Sequence, residues 1–193
     1  FFKAGSGLGN LNQGDLLQSF RHLRTDLFAS AYASYLIELT DKSVEERVPN
    51  PLLFQLLLDA LTALDAGKDM EIVTRMFELQ FLKAVGVEPE LHSCASCRTT
   101  TGPFIAFSIK EGGFLCEGCV RKDPDSIILS QKEVYFLQKL SEIPILRLGI
   151  ADLKDETRSK LKKVILSFLE TYVPVQLKSR RVIEQLLKGT GNP

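Results

Sequence analysis

Four cysteines carry the clearest chemical signal in the sequence, and they occur as two closely spaced pairs. Cys94 and Cys97 are separated by two residues, eighteen residues follow, and Cys116 and Cys119 repeat the same spacing. A tight turn across two residues aims both thiolates at one ion, and two such turns complete a tetrahedron with Zn–S distances of about 2.3 Å. Because four protein ligands leave no open position for water, the pattern predicts a structural zinc site.

Two other states of these cysteines stay open at this point: disulfide bonds, and reduced thiols without a metal. Disulfide frameworks are typical of small secreted domains, whereas this chain of 193 residues has large apolar regions elsewhere. A thioredoxin-like redox pair needs a single Cys-x-x-Cys beside a βαβ pattern, not two facing pairs. His92 lies two residues before Cys94, and we interpret it as a bystander because four thiolates already complete the coordination shell.

Charged residues are divided unevenly along the chain, although the formal net charge is zero. Residues 1–90 contain 8 Lys and Arg against 13 Asp and Glu, and residues 91–129 contain 4 of each. Residues 130–193 contain 12 Lys and Arg against 7 Asp and Glu, a net charge of +5. A basic final third favours an anionic partner such as nucleic acid, and a solvated helix surface is the alternative explanation.

Composition and motifs argue against several classes of function. Hydrophobic residues make up 45% of the chain and charged residues 25%, as in ordinary globular proteins. No apolar run approaches the roughly 18 residues of a membrane span, and no signal peptide is visible. Neither His22 nor His92 lies near a plausible catalytic nucleophile in sequence, since Cys94 beside His92 is assigned to the metal site. No Walker, His-Glu-x-x-His or Gly-x-Ser-x-Gly motif occurs. We therefore expect no catalytic or cofactor-binding residues, and clustered thiols favour the cytoplasm.

Helical periodicity dominates the sequence before the cysteines. Asp15 predicts the N-cap of a short helix that ends at Phe20. A longer helix is predicted by apolar residues at four-residue steps, which are Leu23, Leu27, Ala31, Tyr35 and Leu39. Asn50 followed by Pro51 predicts the start of a third helix, whose many leucines predict burial on most sides. Asp69 predicts the cap of a fourth helix.

Short strands are predicted between the cysteine pairs, and helices return after them. Residues 104–107 and 113–115 predict a hairpin with glycines in its turn, which would place the second cysteine pair beside the first. Ser130 begins a capping-box pattern with the glutamate three residues later. A long helix over about residues 155–172 and a last helix over residues 176–188 complete the predicted elements.

Seven short segments occur in a fairly specific order and spacing. Before the cysteines they are Gly-Leu-Gly-Asn-Leu-Asn-Gln at 7–13, Ala-Tyr-Ala-Ser-Tyr-Leu at 31–36, Pro-Asn-Pro at 49–51, Phe-Glu-Leu at 77–79 and Gly-x-Glu-Pro-Glu-Leu at 86–91. Later they are Glu-Gly-Gly-Phe-Leu-Cys at 111–116 and Leu-Lys-Ser-Arg-Arg at 177–181. Together with the cysteine pairs, and over essentially the whole chain, these segments resemble the bacterial RecO family of DNA repair and recombination mediators.

The resemblance implies a mainly α fold, with a helical bundle domain, an inserted four-cysteine zinc-ribbon-like β-hairpin module and a remnant of an N-terminal OB-fold barrel. Residues 1–14 would be the tail of a mostly absent OB-fold domain, consistent with a chain that begins at Phe1 rather than Met. Residues 15–90 and 130–193 would form the helical domain, and residues 91–129 the four-cysteine zinc module. Some family members lack the cysteines, so the four retained here support the zinc interpretation.

The same resemblance implies a RecF-pathway mediator that binds single- and double-stranded DNA. Such a protein promotes strand annealing and assists the loading of RecA onto strands coated by single-strand-binding protein. The implied partners are DNA, RecR, the C-terminal tail of single-strand-binding protein and, in some lineages, RecF, in a nucleoid-associated cytoplasmic location. The alternative class is an enzyme or regulatory protein that uses the zinc module only for structure.

Binding without sequence preference needs Lys and Arg side chains that neutralise phosphates. Most candidates lie in the last two predicted helices, and two arginines near the start form a second set. The full set is Lys160, Lys162, Lys163, Lys178, Arg180, Arg181, Arg21 and Arg24. For each of them an ordinary solvated surface position is the alternative.

Overall fold

A computed structural model describes residues 13–45, 48–150 and 153–189 of the chain. Within these ranges the chain forms seven α-helices, one small sheet and two short 3₁₀ helices. The helices are α1 (Arg21–Thr25), α2 (Leu27–Ser43), α3 (Pro51–Asp65), α4 (Met70–Ala84), α5 (Gln131–Glu142), α6 (Asp155–Tyr172) and α7 (Lys178–Gly189). The strands are β1 (Phe104–Ser108), β2 (Gly113–Cys116) and β3 (Ile127–Ile128). The mainly α prediction is confirmed, whereas the proposed OB-fold tail lies almost wholly outside the described ranges.

Capping side chains begin three helices, α3, α4 and α5, where the sequence predicted. The Asn50 side chain accepts a hydrogen bond from the Leu53 backbone N–H at 3.0 Å, with proline at the first position of α3. Asp69 caps α4 in the same way. At α5, Ser130 and Glu133 form the reciprocal capping box, with contacts of 3.3 and 2.7 Å. Each cap satisfies backbone donors that a helix start leaves without a partner.

The predicted helix over residues 15–20 is wrong. These residues are not helical, and the side chains of Leu16 and Leu17 are 81% and 96% exposed. The long helix predicted to follow is interrupted at Asp26, which is extended and caps α2 by accepting from the Ala29 N–H at 2.7 Å. A short carboxylate that bonds the backbone three residues on favours a helix start over a helix interior.

Burial of α3 on most sides is also wrong. Leu53 and Leu64 are buried, but Leu52 is 78% exposed and Phe54 is 67% exposed. The helix packs on α4 and α2, and it also contacts α1 and the 3₁₀ helix Ile145–Arg147. The sequence of α3 therefore predicted more burial than the fold provides. Periodicity shows which residues could be buried, but it does not show which neighbours cover them.

The three strands form an antiparallel sheet in the order β2–β1–β3. The predicted hairpin is confirmed, with Phe104 opposite Cys116 and Phe107 opposite Phe114. Its turn contains Gly112, whose φ of 80° is a left-handed conformation that glycine adopts without steric cost. Strand β3 was not predicted, since two residues are too few to show an alternating pattern.

The sheet shares one buried cluster with the helices. The Phe107 ring packs edge-on against Phe168 of α6, with ring centroids 5.8 Å apart. The Tyr172 hydroxyl donates to the Ile109 carbonyl at 2.8 Å. From α5, the side-chain amide of Gln138 donates to the carbonyl of Leu91, the residue that leads into the first cysteine pair. The helical core thus fixes the position of the cysteine-bearing segment.

A charged network is buried where α2 packs against α4. Arg75 is 5% exposed and Glu78 is fully buried, and their Nη1 and Oε2 atoms are 2.8 Å apart. The Tyr35 hydroxyl donates to the other Glu78 oxygen at 2.5 Å. Burial raises the pKa of Glu78, against the opposing effects of Arg75 and Tyr35.

In the described ranges, no helix is both long enough and apolar enough to cross a membrane.

Candidate metal centre and basic surface

The structure brings the four cysteines into one cluster. All four Sγ atoms lie within 4.8 Å of one another, and those of Cys97 and Cys116 are 3.7 Å apart. A tetrahedral site with Zn–S bonds of about 2.3 Å has edges of about 3.8 Å, so this separation matches two ligands of one ion. A disulfide needs sulfurs about 2.05 Å apart, and all four cysteines are free.

Backbone hydrogen bonds shape the turn that carries the first pair. The Cys94 N–H donates to the Thr99 carbonyl, and the Arg98 N–H donates back to the Cys94 carbonyl, both at 2.8 Å. Arg98 takes a left-handed φ of 63° to complete this turn. The Ala95 N–H donates to the carbonyl of Phe114 at 2.8 Å, which ties the first turn to β2.

The second pair begins at the end of that same strand. Cys116 is the last residue of β2, and the N–H of Cys119 donates to its carbonyl at 3.0 Å, closing the second turn. Gly113, the first residue of β2, lies so close to Glu90 that a Cβ atom would be 2.3 Å from the Glu90 carbonyl oxygen. Only glycine therefore allows the chain before the first pair to pack beside the strand that carries the second.

The thiols influence one another's ionisation. Burial opposes ionisation of Cys94, but backbone N–H groups of Cys116, Cys97 and Ser96 outweigh it and lower its pKa to about 6. Burial and hydrogen bonds to the other three thiols raise the pKa of Cys116 to about 11. A bound divalent cation removes this conflict because it stabilises every thiolate that contacts it. The donor set suits a thiophilic ion, so these residues fit zinc.

His92 lies beside this cluster without joining it. Its Nε2 atom is 3.6 Å from a carboxylate oxygen of Glu142 at the end of α5, and its side chain is 59% exposed. Among the described residues, the group of side chains close enough together to hold a metal ion contains the four cysteines and not His92. The arrangement agrees with the interpretation of His92 as a bystander.

Basic residues of the C-terminal region surround a cavity between α6 and α7, which we call the α6–α7 cavity. Its volume is about 400 Å³. Its apolar lining is Leu169, Val173, Val175 and Leu177, and its polar lining is Lys42, Glu170, Gln176, Lys178, Arg180, Arg181 and Glu184. Three of the predicted basic residues therefore share one site, and Lys42 of α2 joins them although the sequence did not single it out.

The three predicted cations at this cavity differ in their exposure to solvent and in whether a carboxylate already pairs with them. Arg180 is 30% exposed, and its guanidinium contacts the carboxylates of Glu170 and Glu184. Burial works against its charge, but the two carboxylates raise its pKa overall. Lys178 and Arg181 are exposed to solvent. Arg180 therefore serves mainly to join α6 and α7, and the exposed pair can meet a ligand.

The other candidate cations do not form one surface with these. Lys160 faces α5, with its Nζ 3.7 Å from Glu133, and Lys163 is exposed. Lys162 lines a small cavity of about 20 Å³ together with Arg75 and Arg180. Arg21 and Arg24 are exposed on α1 and line neither of these two cavities. The eight predicted residues are thus spread over several faces of the molecule.

A carboxylate on α2 holds the start of α7. Glu38 accepts hydrogen bonds from the backbone N–H groups of Lys178 and Ser179, at 3.1 and 2.8 Å, and from the Ser179 hydroxyl at 2.5 Å. Lys42 pairs with Glu38 at 3.0 Å and donates to the Gln176 carbonyl at 2.6 Å. Sequence spacing shows the Glu38–Lys42 pair as helix neighbours, but not their common partner about 140 residues away.

Replacing Glu38 by glutamine is expected to destabilise the protein at pH 7 by about 1 kcal/mol, the typical contribution of a helix cap. Hydrogen bonds from the Ser179 hydroxyl, and then from backbone N–H groups, lower the Glu38 pKa to about 2. Because the folded-state pKa lies below the unfolded value, this contribution is present above about pH 5 and is lost as pH falls toward 2. Urea unfolding at pH 7 and pH 3 measures both effects.

The control for this prediction is Glu111→Gln, which makes the same charge change on the exposed hairpin turn. We expect the stability difference between wild type and Glu38→Gln to be smaller at pH 3 than at pH 7. We expect Glu111→Gln to follow wild type at both values. An equal difference for Glu38→Gln at both pH values would contradict the role of its ionised carboxylate.

The sequence is similar to one protein family over most of its length. The family model described as "Recombination protein O C terminal" matches residues 24–181, a range that includes all four cysteines. The DNA repair protein RecO of Halalkalibacterium halodurans is 41% identical over 185 residues, which are 96% of this chain and 72% of that protein. The DNA repair protein RecO of Bacillus subtilis is 39% identical over 181 residues, 94% of this chain and 71% of that protein.

Proposed function

This chain belongs to the RecO family, and we propose that it is a non-enzymatic DNA repair and recombination mediator that binds single- and double-stranded DNA. In this proposal it promotes annealing of complementary strands and assists the loading of RecA onto strands coated by single-strand-binding protein. RecR, the C-terminal tail of single-strand-binding protein and RecF are the protein partners, in the nucleoid region of the cytoplasm. The similarity to proteins named DNA repair protein RecO supports the proposal.

The structural observation that carries the proposal is the pair of exposed cations at the α6–α7 cavity. Lys178 and Arg181 face solvent, whereas Arg180 between them is held by carboxylates. Lysine and arginine side chains neutralise phosphates without reading base sequence, which an annealing protein requires. The remaining candidates lie apart from this cavity, and we propose them as separate phosphate contacts on other faces of the molecule: Lys160, Lys162, Lys163, Arg21 and Arg24.

Zinc is the ion that we propose for the four cysteines. The sulfur separations, the absence of disulfides among them and the conflict between neighbouring thiols support this assignment. With four protein ligands the ion would have no position for water or substrate, so its role is to hold the two turns together. We further propose that residues 91–129 form a zinc module within a helical domain (15–90 and 130–193), and that residues 1–14 are the end of an OB-fold domain.

The double variant Lys178→Ala/Arg181→Ala is expected to bind single-stranded DNA more weakly and with less dependence on salt. Each lost phosphate contact lowers the magnitude of the log–log salt slope by about 0.7 on single strands, so two contacts lower it by about 1.4. Fluorescence anisotropy of a labelled oligonucleotide at several salt concentrations measures both the affinity and the slope. A strand-annealing assay under the same conditions tests the activity itself.

The matched control is Lys110→Ala/Arg121→Ala, which removes one exposed cation from the hairpin turn and one from the 3₁₀ helix Val120–Lys122 after the second cysteine pair. Its salt slope is expected to stay close to that of wild type. An unchanged slope in Lys178→Ala/Arg181→Ala would remove this pair from the DNA contact. Failure of the wild-type chain to bind either form of DNA at low salt would overturn the mediator proposal as a whole.

A further inference from the structure

The α6–α7 cavity combines two kinds of lining that a simple cationic surface does not need. Its buried part is apolar: Leu169 is 3% exposed, and the side chains of Val173, Val175 and Leu177 are half-buried around it. A volume of about 400 Å³ lies within the range of small-molecule sites, about 300–1,000 Å³. Phosphate binding alone would leave these four apolar side chains, which we call the floor of the cavity, without a ligand to contact.

Polar side chains line the same cavity, and Lys178, Arg181 and Gln176 among them are exposed. The carboxylates of Glu170 and Glu184 in this lining are paired with Arg180. The Gln176 side-chain amide can both donate and accept hydrogen bonds. The first N–H groups of α7 are already bonded to Glu38 and do not offer an anion site. A phosphate at this cavity would therefore depend on the side chains of Lys178 and Arg181.

We propose that the α6–α7 cavity receives one unstacked base of single-stranded DNA, an inference that rests on the DNA-binding function proposed above. The flat apolar faces of the base would contact the floor of the cavity at Leu169 and Val175. The polar edge of the base would face the Gln176 amide. The phosphates on either side would contact Lys178 and Arg181.

This arrangement distinguishes single strands from duplex DNA. In a single strand a base leaves its neighbours at little cost, whereas in a duplex it must also break its pair, which costs a few kcal/mol. Duplex DNA would therefore use only the exposed cations and leave the apolar floor empty. The cavity would give this surface a preference for single strands while the phosphate contacts serve both forms.

Filling the floor without changing any charge tests the assignment. Val175→Phe places a ring in the cavity and leaves Lys178 and Arg181 in position, and Val173→Phe does the same from the end of α6. We expect either variant to lose about fivefold in single-strand affinity, equivalent to about 1 kcal/mol for the lost base contact, and to keep its duplex affinity. Circular dichroism and melting temperature establish that each variant is folded.

A 2-aminopurine base within the oligonucleotide reports directly on unstacking. Its fluorescence is expected to rise when wild type binds, and to rise much less with Val175→Phe or Val173→Phe.

Equal losses of affinity for single strands and duplex, or no loss for either in folded protein, would overturn the cavity assignment and leave the DNA-binding proposal standing. The same variants are also titrated with a labelled acidic peptide. If they keep their DNA affinity and lose affinity only for the peptide, the cavity is a peptide site instead. Absence of any DNA binding by wild type would remove both proposals together.

Discussion

Replacing Cys94 by serine is expected to lower the free energy of unfolding by more than about 4 kcal/mol, and the melting temperature by about 10 °C or more. The side chain is fully buried and its sulfur belongs to the four-thiol cluster. Serine cannot replace a thiolate ligand, and the free energy of binding a structural metal is part of the free energy of folding. Thermal unfolding followed by circular dichroism, with metal content measured on the same samples, checks the prediction.

Chelation provides the control for this variant. A strong chelator is expected to lower the melting temperature of wild type and to leave that of Cys94→Ser almost unchanged, because the variant no longer holds the ion. At a temperature where both proteins are folded, the DNA affinity of Cys94→Ser should fall by less than that of Lys178→Ala/Arg181→Ala. A large loss of DNA binding in folded Cys94→Ser would make the cysteine turns a direct DNA contact, contrary to our proposal.

Replacing Arg75 by methionine is expected to cost about 3–5 kcal/mol of stability at pH 7. The substitution keeps much of the side-chain length but leaves the fully buried Glu78 carboxylate without its closest cation. Lys162 and Arg180 also lower the Glu78 pKa, but they lie in α6 and α7 and act from farther away. Urea unfolding of the variant and of Arg24→Met, an exposed arginine given the same substitution, measures the difference.

The Arg75→Met variant should also show a characteristic dependence on pH. With its cation removed, Glu78 has a folded-state pKa further above the unfolded value of about 4.3. Its protonated form then contributes stability that is present below that value and lost as pH rises. The double variant Arg75→Met/Glu78→Gln keeps an acceptor for the Tyr35 hydroxyl without a buried charge, so it should recover at least half of the loss. No recovery would mean that Arg75 matters for packing and not for its charge.

Local rules predicted the features that depend on neighbours in sequence. The cap and proline at Asn50 and Pro51, the capping box at Ser130 and the hairpin between the cysteine pairs are all confirmed. Each of these depends on side chains and backbone groups within a few residues of one another. The clustering of the four cysteines was predictable for the same reason, since each pair sits in its own turn and the hairpin joins the turns.

Features that depend on distant parts of the chain were not predictable in this way. The exposure of Phe54 follows from which helices neighbour α3, and the burial of Arg75 and Glu78 follows from the position of α2 above α4. Glu38 meets its backbone partners only because α7 returns to the end of α2. The eight basic residues were likewise predicted from residue type alone. Only the folded chain distinguishes the exposed Lys178 from Arg180, which is paired with carboxylates.

The most direct test of this account is the affinity of the zinc-loaded, folded 193-residue chain for a single-stranded oligonucleotide as salt is raised from a low concentration. We expect saturable binding in fluorescence anisotropy, with the logarithm of the affinity falling linearly with the logarithm of salt concentration. Binding that is absent at low salt, or that does not change as salt is raised, would contradict the claim that this chain holds DNA through its basic surface.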